Sequence, residues 1–232
     1  MLLKPWNKLP DFMKTEEVRP YYDVLEKRIV SMILKRIFDF TASLILLLIL
    51  WPVLLLLALT VKLDSQGPVF FRQERVTTYG KRFRIWKYRT MVANADKIGT
   101  QVTVSNDKRI TRTGKFLRGV RLDELPQLIN ILMGDMSFVG TRPEVVKYVN
   151  AYKSEYYATL LLPAGVTSEA SIRFKNEDKL LAEAENTDKV YIEEVLPAKM
   201  ALNLNSIKHF SFTGELLTMI RTIAAVLGKE YD

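Results

Sequence analysis

One stretch of the sequence restricts the fold more than any other. From Phe40 to Val61, 22 consecutive residues carry no charge, and nearly all have apolar side chains. A helix of about 20 such residues spans the roughly 30 Å hydrocarbon core of a bilayer. A cleaved signal peptide is disfavoured, because the stretch begins only at residue 40 and no small-residue cleavage site follows it. The stretch therefore predicts a helix that enters a membrane.

Two details leave the path of this helix through the membrane open. Pro52 lies at the middle of the stretch, where a proline removes a backbone hydrogen bond and kinks a helix. Lysine and arginine residues flank both ends, and positive flanks tend to stay in the cytoplasm. The residues alone therefore allow two forms: a single transmembrane helix, or a re-entrant helix broken at Pro52 with both ends on one side.

The net charge of +8 is unevenly distributed along the chain. Residues 62–142 hold 16 basic and 7 acidic residues, a surplus that directly follows the apolar stretch. Such a surplus suits anionic headgroups, nucleotides or phosphates. Nucleic acid is a competing partner, but no zinc-finger, RNP or GxxG signature is present, so we expect no nucleic-acid partner. The sequence has no cysteine and one histidine, His209, which excludes thiol chemistry and a multi-histidine metal centre.

The rest of the sequence predicts a mainly helical α+β fold. Residues 1–34 contain three prolines and are predicted to form a peripheral extension. Residues 69–91 predict a small β-hairpin, with strand-like runs on each side of a glycine turn, and residues 92–106 predict a polar loop. Residues 203–227 show helical spacing. Their apolar side chains predict either core packing or contact with a bilayer surface: Phe210, Phe212, Leu216, Leu217 and Ile220.

Residues 109–143 carry the pattern that points to chemistry. Basic residues recur every three positions up to Arg121, and this stripe alone favours a solvated or headgroup-binding helix face. Asp123 and Glu124 follow, at the start of apolar residues with the spacing of an amphipathic helix. Asp123 suits an N-cap, and both acids could be capping residues only. Two carboxylates at a helix N-terminus beside arginines also suit a phosphate site with an ionised nucleophile.

Several motifs occur together in one order. After the apolar stretch with its central proline come Phe71-Arg72-Gln73-Glu74-Arg75, Lys87-Tyr88-Arg89-Thr90-Met91, Gly114-Lys115-Phe116-Leu117-Arg118, Leu122-Asp123-Glu124-Leu125-Pro126-Gln127, and Gly140-Thr141-Arg142-Pro143. With these motifs the chain resembles the bacterial sugar transferase family, the monotopic polyprenyl-phosphate phosphoglycosyl transferases, over about residues 35–166. The multi-span N-terminal region of the family's long members is missing, so the resemblance is to a short form.

The resemblance implies a two-step reaction. Asp123 would attack the β-phosphorus of a UDP-sugar and release UMP, and a polyprenyl (undecaprenyl) phosphate would then take the sugar-1-phosphate. Glu124 would help to position metal or acceptor. Mg²⁺ is the expected cofactor, with Asp123 as its protein ligand. Five cations are expected to contact phosphate or nucleotide: Arg118, Arg142, Lys87, Arg89 and Arg173.

The resemblance also favours the re-entrant form of the membrane helix, bent at Pro52. The expected domains are an N-terminal extension over 1–34, the membrane helix over 35–64, and a catalytic domain with amphipathic interfacial helices over 65–232. We expect this domain to contact the lipid bilayer on the cytoplasmic face of the bacterial inner membrane. A homodimer stays an open option.

Three departures from the family pattern leave the donor sugar and the glycan pathway undefined. Trp51 stands where serine is frequent, Thr141 replaces a frequent proline, and residues 163–170 keep only part of a Pro-Gly-hydrophobic-Thr-Gly segment. Two other functions remain open. A non-catalytic lipid-binding membrane adaptor would leave the Asp-Glu pair unexplained, and a glycosyltransferase would release UDP instead of UMP.

Overall fold

The computed structural model describes residues 3–95, 107–175, 177, 181 and 186–227, so most of the predicted polar loop at 92–106 lies outside the described residues. Within that part of the chain helices dominate, as predicted. The α-helices are α1 (Arg19–Glu26), α2 (Ile29–Asp64), α3 (Arg112–Gly119), α4 (Gln127–Met133), α5 (Val146–Val149), α6 (Glu169–Arg173), α7 (Thr187–Val190), α8 (Leu196–Lys208) and α9 (Phe212–Val226). The strands are β1 (Phe70–Phe71), β2 (Glu74–Val76), β3 (Arg82–Arg84), β4 (Lys87–Tyr88), β5 (Met136–Val139) and β6 (Ala164–Thr167).

Helix α2 contains the apolar stretch and is the longest element, with 36 residues. Its most apolar window has a mean hydropathy of 3.0 and is 6% buried, so its length and composition would allow it to cross a membrane. Pro52 has no N–H to donate to the carbonyl four residues earlier, yet the helix continues on both sides of it. The expected break at Pro52 is therefore not visible as a gap between two helices.

The first turns of α2 carry buried polar side chains. Lys35, Asp39 and Ser43 are spaced four residues apart and so share one face of the helix. The Lys35 ammonium donates to the Val139 carbonyl at 2.7 Å, and the Asp39 carboxylate accepts from the Phe138 N–H at 3.2 Å. These contacts fix the N-terminal part of α2 to strand β5.

The hairpin predicted over residues 69–91 is confirmed. Strand β1 pairs antiparallel with β4, and β2 pairs antiparallel with β3. A 3-10 turn, Thr78–Gly80, joins the inner strands and contains Gly80 at a φ of 77°, which glycine adopts without steric cost. Outside the hairpin, β5 and β6 form a third pair, which is parallel and places Met136 opposite Ala164.

Helix α2 packs on this hairpin on both sides of Pro52. The preceding half contributes Leu46, Leu47 and Leu50 to an apolar cluster that also contains hairpin residues. The following half buries Leu57 against Tyr88, whose hydroxyl donates to the Leu54 carbonyl at 2.6 Å. Both halves of the long helix thus share apolar clusters with hairpin residues, and the most extensive contact of α2 is with α4.

The main core includes the N-terminal segment that the sequence predicts to be peripheral. Met13, Val18 and Leu25 have no exposed surface, and they pack in one cluster with residues of α8. Prolines keep the helices of this segment short, but apolar side chains between them still face one side. Residues 3–28 therefore pack as part of the main domain. Phe210 is also buried in this core, which leaves it unable to lie on a bilayer surface.

Candidate active site

The two carboxylates predicted to be catalytic lie in a 3-10 turn, Leu122–Glu124, between α3 and α4. Arg121, directly before the turn, has a left-handed φ of 58° and reverses the chain after α3. The predicted N-cap role of Asp123 is wrong, because Pro126 holds that position at α4 and no side chain caps the helix. An N-cap side chain reaches only the first helical residues, and the intervening turn holds Asp123 further upstream.

Glu124 is held by two cations. Its carboxylate accepts from the Lys87 ammonium at 2.8 Å and forms an ion pair with Arg142, whose second nitrogen lies 3.3 Å from the other carboxylate oxygen. Burial alone would raise the pKa of Glu124, but Arg142 and Lys87 hold it well below its usual value. Glu124 is therefore ionised and oriented, and its oxygens are occupied by these two cations.

Asp123 differs sharply from its neighbour. It is only 6% exposed, yet no described residue donates a hydrogen bond to its carboxylate. Burial raises the pKa of Asp123; the negative charge of Glu124 adds to this rise, whereas Lys87 and Arg118 oppose it. The protein environment thus raises the pKa of Asp123, which is opposite to the effect expected of a helix end beside arginines. Asp123 is the carboxylate of the pair with lone pairs still available to a phosphorus atom or a cation.

Arg118 is the cation best placed to meet an anionic ligand near Asp123. Its guanidinium is half-buried and, among the described residues, has neither a hydrogen-bond acceptor nor an ion-pair partner. It projects from α3, whose N-cap residue is Thr111. The Thr111 hydroxyl oxygen accepts a hydrogen bond from the Gly114 N–H at 3.0 Å. A Cβ at Gly114 would lie 2.1 Å from the Thr90 carbonyl, so this glycine lets α3 pack closely against the chain that leaves the hairpin.

Arg142 is placed by the turn that follows β5. Gly140 lies against the chain before β6, where a Cβ would approach the Pro163 carbonyl to 2.6 Å. The guanidinium of Arg142 then meets Glu124 and the Val166 carbonyl, the latter at 3.4 Å. The pKa of Arg142 is raised mainly by the charge of Glu124. The structure thus brings Lys87, Glu124 and Arg142 together, with Asp123 beside them.

Two of the five predicted phosphate-binding cations lie elsewhere. Arg89 donates to the Ser65 carbonyl at 2.6 Å and to the Pro68 carbonyl at 2.5 Å, so its guanidinium is used to close the end of α2. The phosphate role predicted for Arg89 stays a prediction. Arg173 is half-exposed and lies 3.5 Å from Glu169 at a separate cavity.

Gln127 is a buried residue near the site that no sequence pattern singled out. Its side chain is 1% exposed, and both its amide oxygen and nitrogen lack a hydrogen-bond partner among the described residues. It directly follows Pro126 and lies on the inward face of α4 with Asn130. The sequence could have pointed to Gln127, because it is a polar residue of the Leu-Asp-Glu-Leu-Pro-Gln motif. Helical spacing places it on the face of α4 that packs against the domain.

The donor set suits a metal ion shared with a ligand better than a site built wholly from protein. Among the described residues no three His, Cys, Asp or Glu side chains come together. Mg²⁺ is commonly held by one or two carboxylates together with substrate phosphates and water. Asp123 has free oxygens for such an ion, whereas those of Glu124 are engaged by Lys87 and Arg142.

Comparison with known proteins agrees with this geometry. The family model for bacterial sugar transferases matches residues 30–229. A UDP-glucose:undecaprenyl-phosphate glucose-1-phosphate transferase of Escherichia coli (strain K12) is 42% identical over 173 residues, which are 71% of this chain and 37% of the relative. A protein of the same name from Caulobacter vibrioides is 35% identical over 196 residues, covering 83% of this chain and 69% of the relative.

A third relative is named for a different sugar. The UDP-N-acetylgalactosamine-undecaprenyl-phosphate N-acetylgalactosaminephosphotransferase of Aeromonas hydrophila is 34% identical over 197 residues, covering 84% of this chain and 44% of the relative. The chain thus spans less than half the length of the Escherichia coli and Aeromonas hydrophila relatives. These relatives share the undecaprenyl-phosphate acceptor in their names but differ in the donor.

Proposed function

The chain belongs to the bacterial sugar transferase family, and from this premise we propose that it transfers a sugar-1-phosphate from a UDP-sugar to a polyprenyl phosphate, with release of UMP. Such a product is a lipid diphosphate-linked sugar, the starting point for a bacterial surface glycan or glycoprotein. The observation that carries the proposal is the contrast at the carboxylate pair. Asp123 is buried with no partner, beside a glutamate that two cations hold in place.

In the proposed reaction an oxygen of Asp123 attacks the β-phosphorus of the UDP-sugar. The bond between this phosphorus and the bridging oxygen breaks, UMP leaves with that oxygen, and a phosphosugar-aspartyl intermediate remains. A phosphate oxygen of the polyprenyl phosphate then attacks the same phosphorus. The Asp123–phosphorus bond breaks, and the sugar is left on a lipid diphosphate. The carboxylate returns unchanged for the next cycle.

The surrounding charges suit this chemistry. Attack of a carboxylate on a diphosphate brings like charges together, and fixed cations offset that repulsion in the transition state. Arg118 has its guanidinium free of protein acceptors within the described chain, so it can bind phosphate oxygens. Glu124 acts as a positioning residue, because its ion pairs orient Lys87 and Arg142 toward the reacting group.

Mg²⁺ fits the free oxygens of Asp123, and when bound it supplies positive charge against the phosphoryl oxygens. The residues themselves bind and orient the substrates around this carboxylate. Since burial raises the pKa of Asp123, nearby positive charge also favours the ionised form that attacks.

The deciding experiment assays UMP release by purified protein in nanodiscs with Mg²⁺ and undecaprenyl phosphate. UDP-glucose and UDP-N-acetylgalactosamine are tested first, because relatives are named for these two sugars. We expect wild type to release UMP with at least one donor. Asp123→Asn, which keeps the shape and removes the charge, should lower turnover by at least about 10³-fold.

An Asp188→Asn variant serves as a control, because Asp188 is also an ion-paired aspartate but pairs with Lys147, which contacts neither Asp123 nor Glu124. Full turnover by Asp123→Asn would exclude Asp123 as the nucleophile. Release of UDP by wild type would exclude phosphosugar transfer and indicate a glycosyltransferase. Lipid binding with no release of either nucleotide would favour a non-catalytic adaptor.

We also propose that both ends of α2 lie on the cytoplasmic side of the bacterial inner membrane. The support is that Leu50, before Pro52, lies in one apolar cluster with residues of the hairpin and α4, and Leu57, after it, lies in another cluster with Tyr88 of the hairpin. A helix crossing the bilayer would carry one of these contacts away from a domain in the cytoplasm. The basic residues at both flanks agree with this topology.

The topology is testable because the sequence contains no cysteine. Two variants each carry a single cysteine, one at Arg28, directly before α2, and one at Leu63, in its last turn. Each cysteine is labelled with a membrane-impermeant maleimide. We expect both to react in inverted inner-membrane vesicles and neither in intact spheroplasts. Opposite labelling of the two sites would establish a spanning helix instead.

A further inference from the structure

The cavity at Arg173 does not include the carboxylate pair. It has a volume of about 360 Å³ and is enclosed by α9, the C-terminal part of α8, α6 and the end of β5. None of Lys87, Asp123, Glu124 and Arg142 lines it. A volume of this size accommodates a small polar ligand or headgroup.

In the described part of the chain, the cavity presents one amide without a hydrogen bond and two arginines in long ion pairs. Asn203 is 4% exposed and lines the cavity, and among the described residues its amide makes no hydrogen bond. Arg173 and Arg221 approach Glu169 only to 3.5 and 3.6 Å, beyond a good hydrogen bond. The Asn203 amide therefore has donor and acceptor capacity left for a ligand in the cavity.

Among the described residues, the two arginines in the cavity wall do not each have a carboxylate of their own. Arg173 and Arg221 share a single carboxylate, Glu169. The other acidic group at the wall, Glu215, is neutralised by an ion pair with Lys35. A phosphodiester is an anion that accepts hydrogen bonds from guanidinium and amide groups, so it matches these donors.

The cavity lies at a suitable depth for a lipid phosphate. Gly214, Thr218 and Arg221 follow helical spacing and line the cavity from one side of α9. The other side exposes Ile220, Ile223 and Leu227, and the exposed Leu217 lies between the two sides. A helix is about 10 Å across. If the apolar side touches the acyl region, the cavity side lies among the headgroups.

We propose that this cavity is a binding site for the phosphate of a membrane lipid, separate from the site of phosphosugar transfer. Its ligand is the phosphodiester of an anionic phospholipid, held by Arg173, Arg221 and Asn203. The same phosphate chemistry is offered by a polyprenyl phosphate, so the two lipids are alternative sources of one ligand group. The inference rests on the membrane placement proposed above, but not on the transfer reaction.

The test titrates delipidated full-length protein in detergent with dioleoyl-phosphatidylglycerol and counts bound lipid by native mass spectrometry. Removing one arginine near a lipid phosphate weakens binding by about fivefold, so we expect this loss in Arg221→Gln. Asn203→Asp places an anion in the cavity with little change in shape and should weaken binding at least as much. Arg82→Gln is the matched control, because Arg82 is an exposed arginine 3.3 Å from a single glutamate, Glu74.

Undecaprenyl phosphate is titrated in parallel to identify the source of the phosphate. Stronger binding of either lipid to wild type than to Arg221→Gln supports the site and names its ligand. Equal binding of both lipids to wild type, Arg221→Gln and Asn203→Asp overturns it, as does an equal loss in Arg82→Gln. UMP release is measured separately. Retained lipid selectivity without UMP release would refute the transfer reaction alone, and UMP release with unselective lipid binding would refute this site alone.

Discussion

Two groups of charged side chains lie on either side of Pro143. They differ in whether every charged group has a partner. The first is the carboxylate site, formed by Lys87, Asp123, Glu124 and Arg142. The second, which we call the Glu144 network, contains Glu144, Glu177, Tyr191 and Lys199. Pro143 separates Arg142 of the first group from Glu144 of the second.

In the Glu144 network each member has a partner. Tyr191 donates its hydroxyl hydrogen to Glu144 at 2.5 Å, and the Lys199 ammonium donates to Glu177 at 3.0 Å and to Tyr191 at 3.2 Å. Burial and the charge of Glu144 hold the pKa of Tyr191 well above its usual value, so the phenol stays a neutral donor. The network is a closed set of hydrogen bonds that joins α8 to the chain after β5.

The carboxylate site pairs Glu124 fully and leaves Asp123 with no hydrogen-bond donor in the described structure. An unpaired buried carboxylate costs stability, and proteins tolerate such groups mainly where function requires them. The difference between the two groups therefore separates charges that hold the fold from a charge kept available for chemistry. Substitutions in each group test this separation.

Glu124→Gln should have the largest combined effect. It leaves Lys87 and Arg142 buried without a carboxylate, and breaking a buried ion pair costs about 3–5 kcal/mol. We expect turnover to fall by about 10²-fold or more, because the two cations lose their orientation, and the unfolding midpoint in detergent to fall by about 10 °C. UMP release per folded molecule and a thermal scan measure the two effects.

The pH dependence of stability checks the origin of that loss. Since the pKa of Glu124 is lowered by its cations in the folded state, its contribution is present above its unfolded pKa and fades as pH falls below about 4.5. Wild type should therefore lose its advantage over Glu124→Gln on acidification. An advantage that stays constant down to pH 3 would show that packing, and not ion pairing, stabilises Glu124.

Lys199→Met should lower stability with a much smaller effect on catalysis. The substitution leaves Glu177 and Glu144 without their buried ammonium, and we expect a loss of about 3 kcal/mol. Turnover per folded molecule should stay within about threefold of wild type, because Lys199 does not contact the carboxylate pair. Lys189→Met is the control, since Lys189 is an exposed lysine on α7. A fall in turnover larger than the fall in folded protein would assign Lys199 to the reaction.

The comparison also shows where sequence reasoning reaches its limit. The hairpin follows from a glycine turn between strand-like runs, and the carboxylates, Arg118 and Arg142 are found in local motifs. Arg89 lies within one of these motifs, but its contacts depend on the carbonyls at the end of α2, 24 residues earlier. The burial of the N-terminal segment and the isolation of the Gln127 amide likewise depend on contacts between distant segments. Motifs identify chemically suitable residues, whereas packing decides which of them remain unpaired.

Lys87→Met should change the pH dependence of kcat/KM more than its value at the plateau. Burial raises the pKa of Asp123, and Lys87 is the foremost charge opposing that rise. Without this cation the pKa of Asp123 rises further. Since the attacking carboxylate must be ionised, activity is lost as pH falls through this pKa, so the acidic limb of kcat/KM should move to higher pH by about one unit.

The shift in pH dependence distinguishes an electrostatic role of Lys87 from a purely structural one. UMP release is measured from pH 5 to pH 9 for wild type, Lys87→Met and Lys87→Arg. Lys87→Arg retains the charge and should keep the acidic limb close to that of wild type, even if altered geometry lowers the plateau. A uniform fall in activity across all pH values in Lys87→Met, with no displaced limb, would mean that Lys87 serves only to orient Glu124. A limb that is displaced in Lys87→Met but lies at the wild-type position in Lys87→Arg would establish that the charge of residue 87 keeps Asp123 ionised.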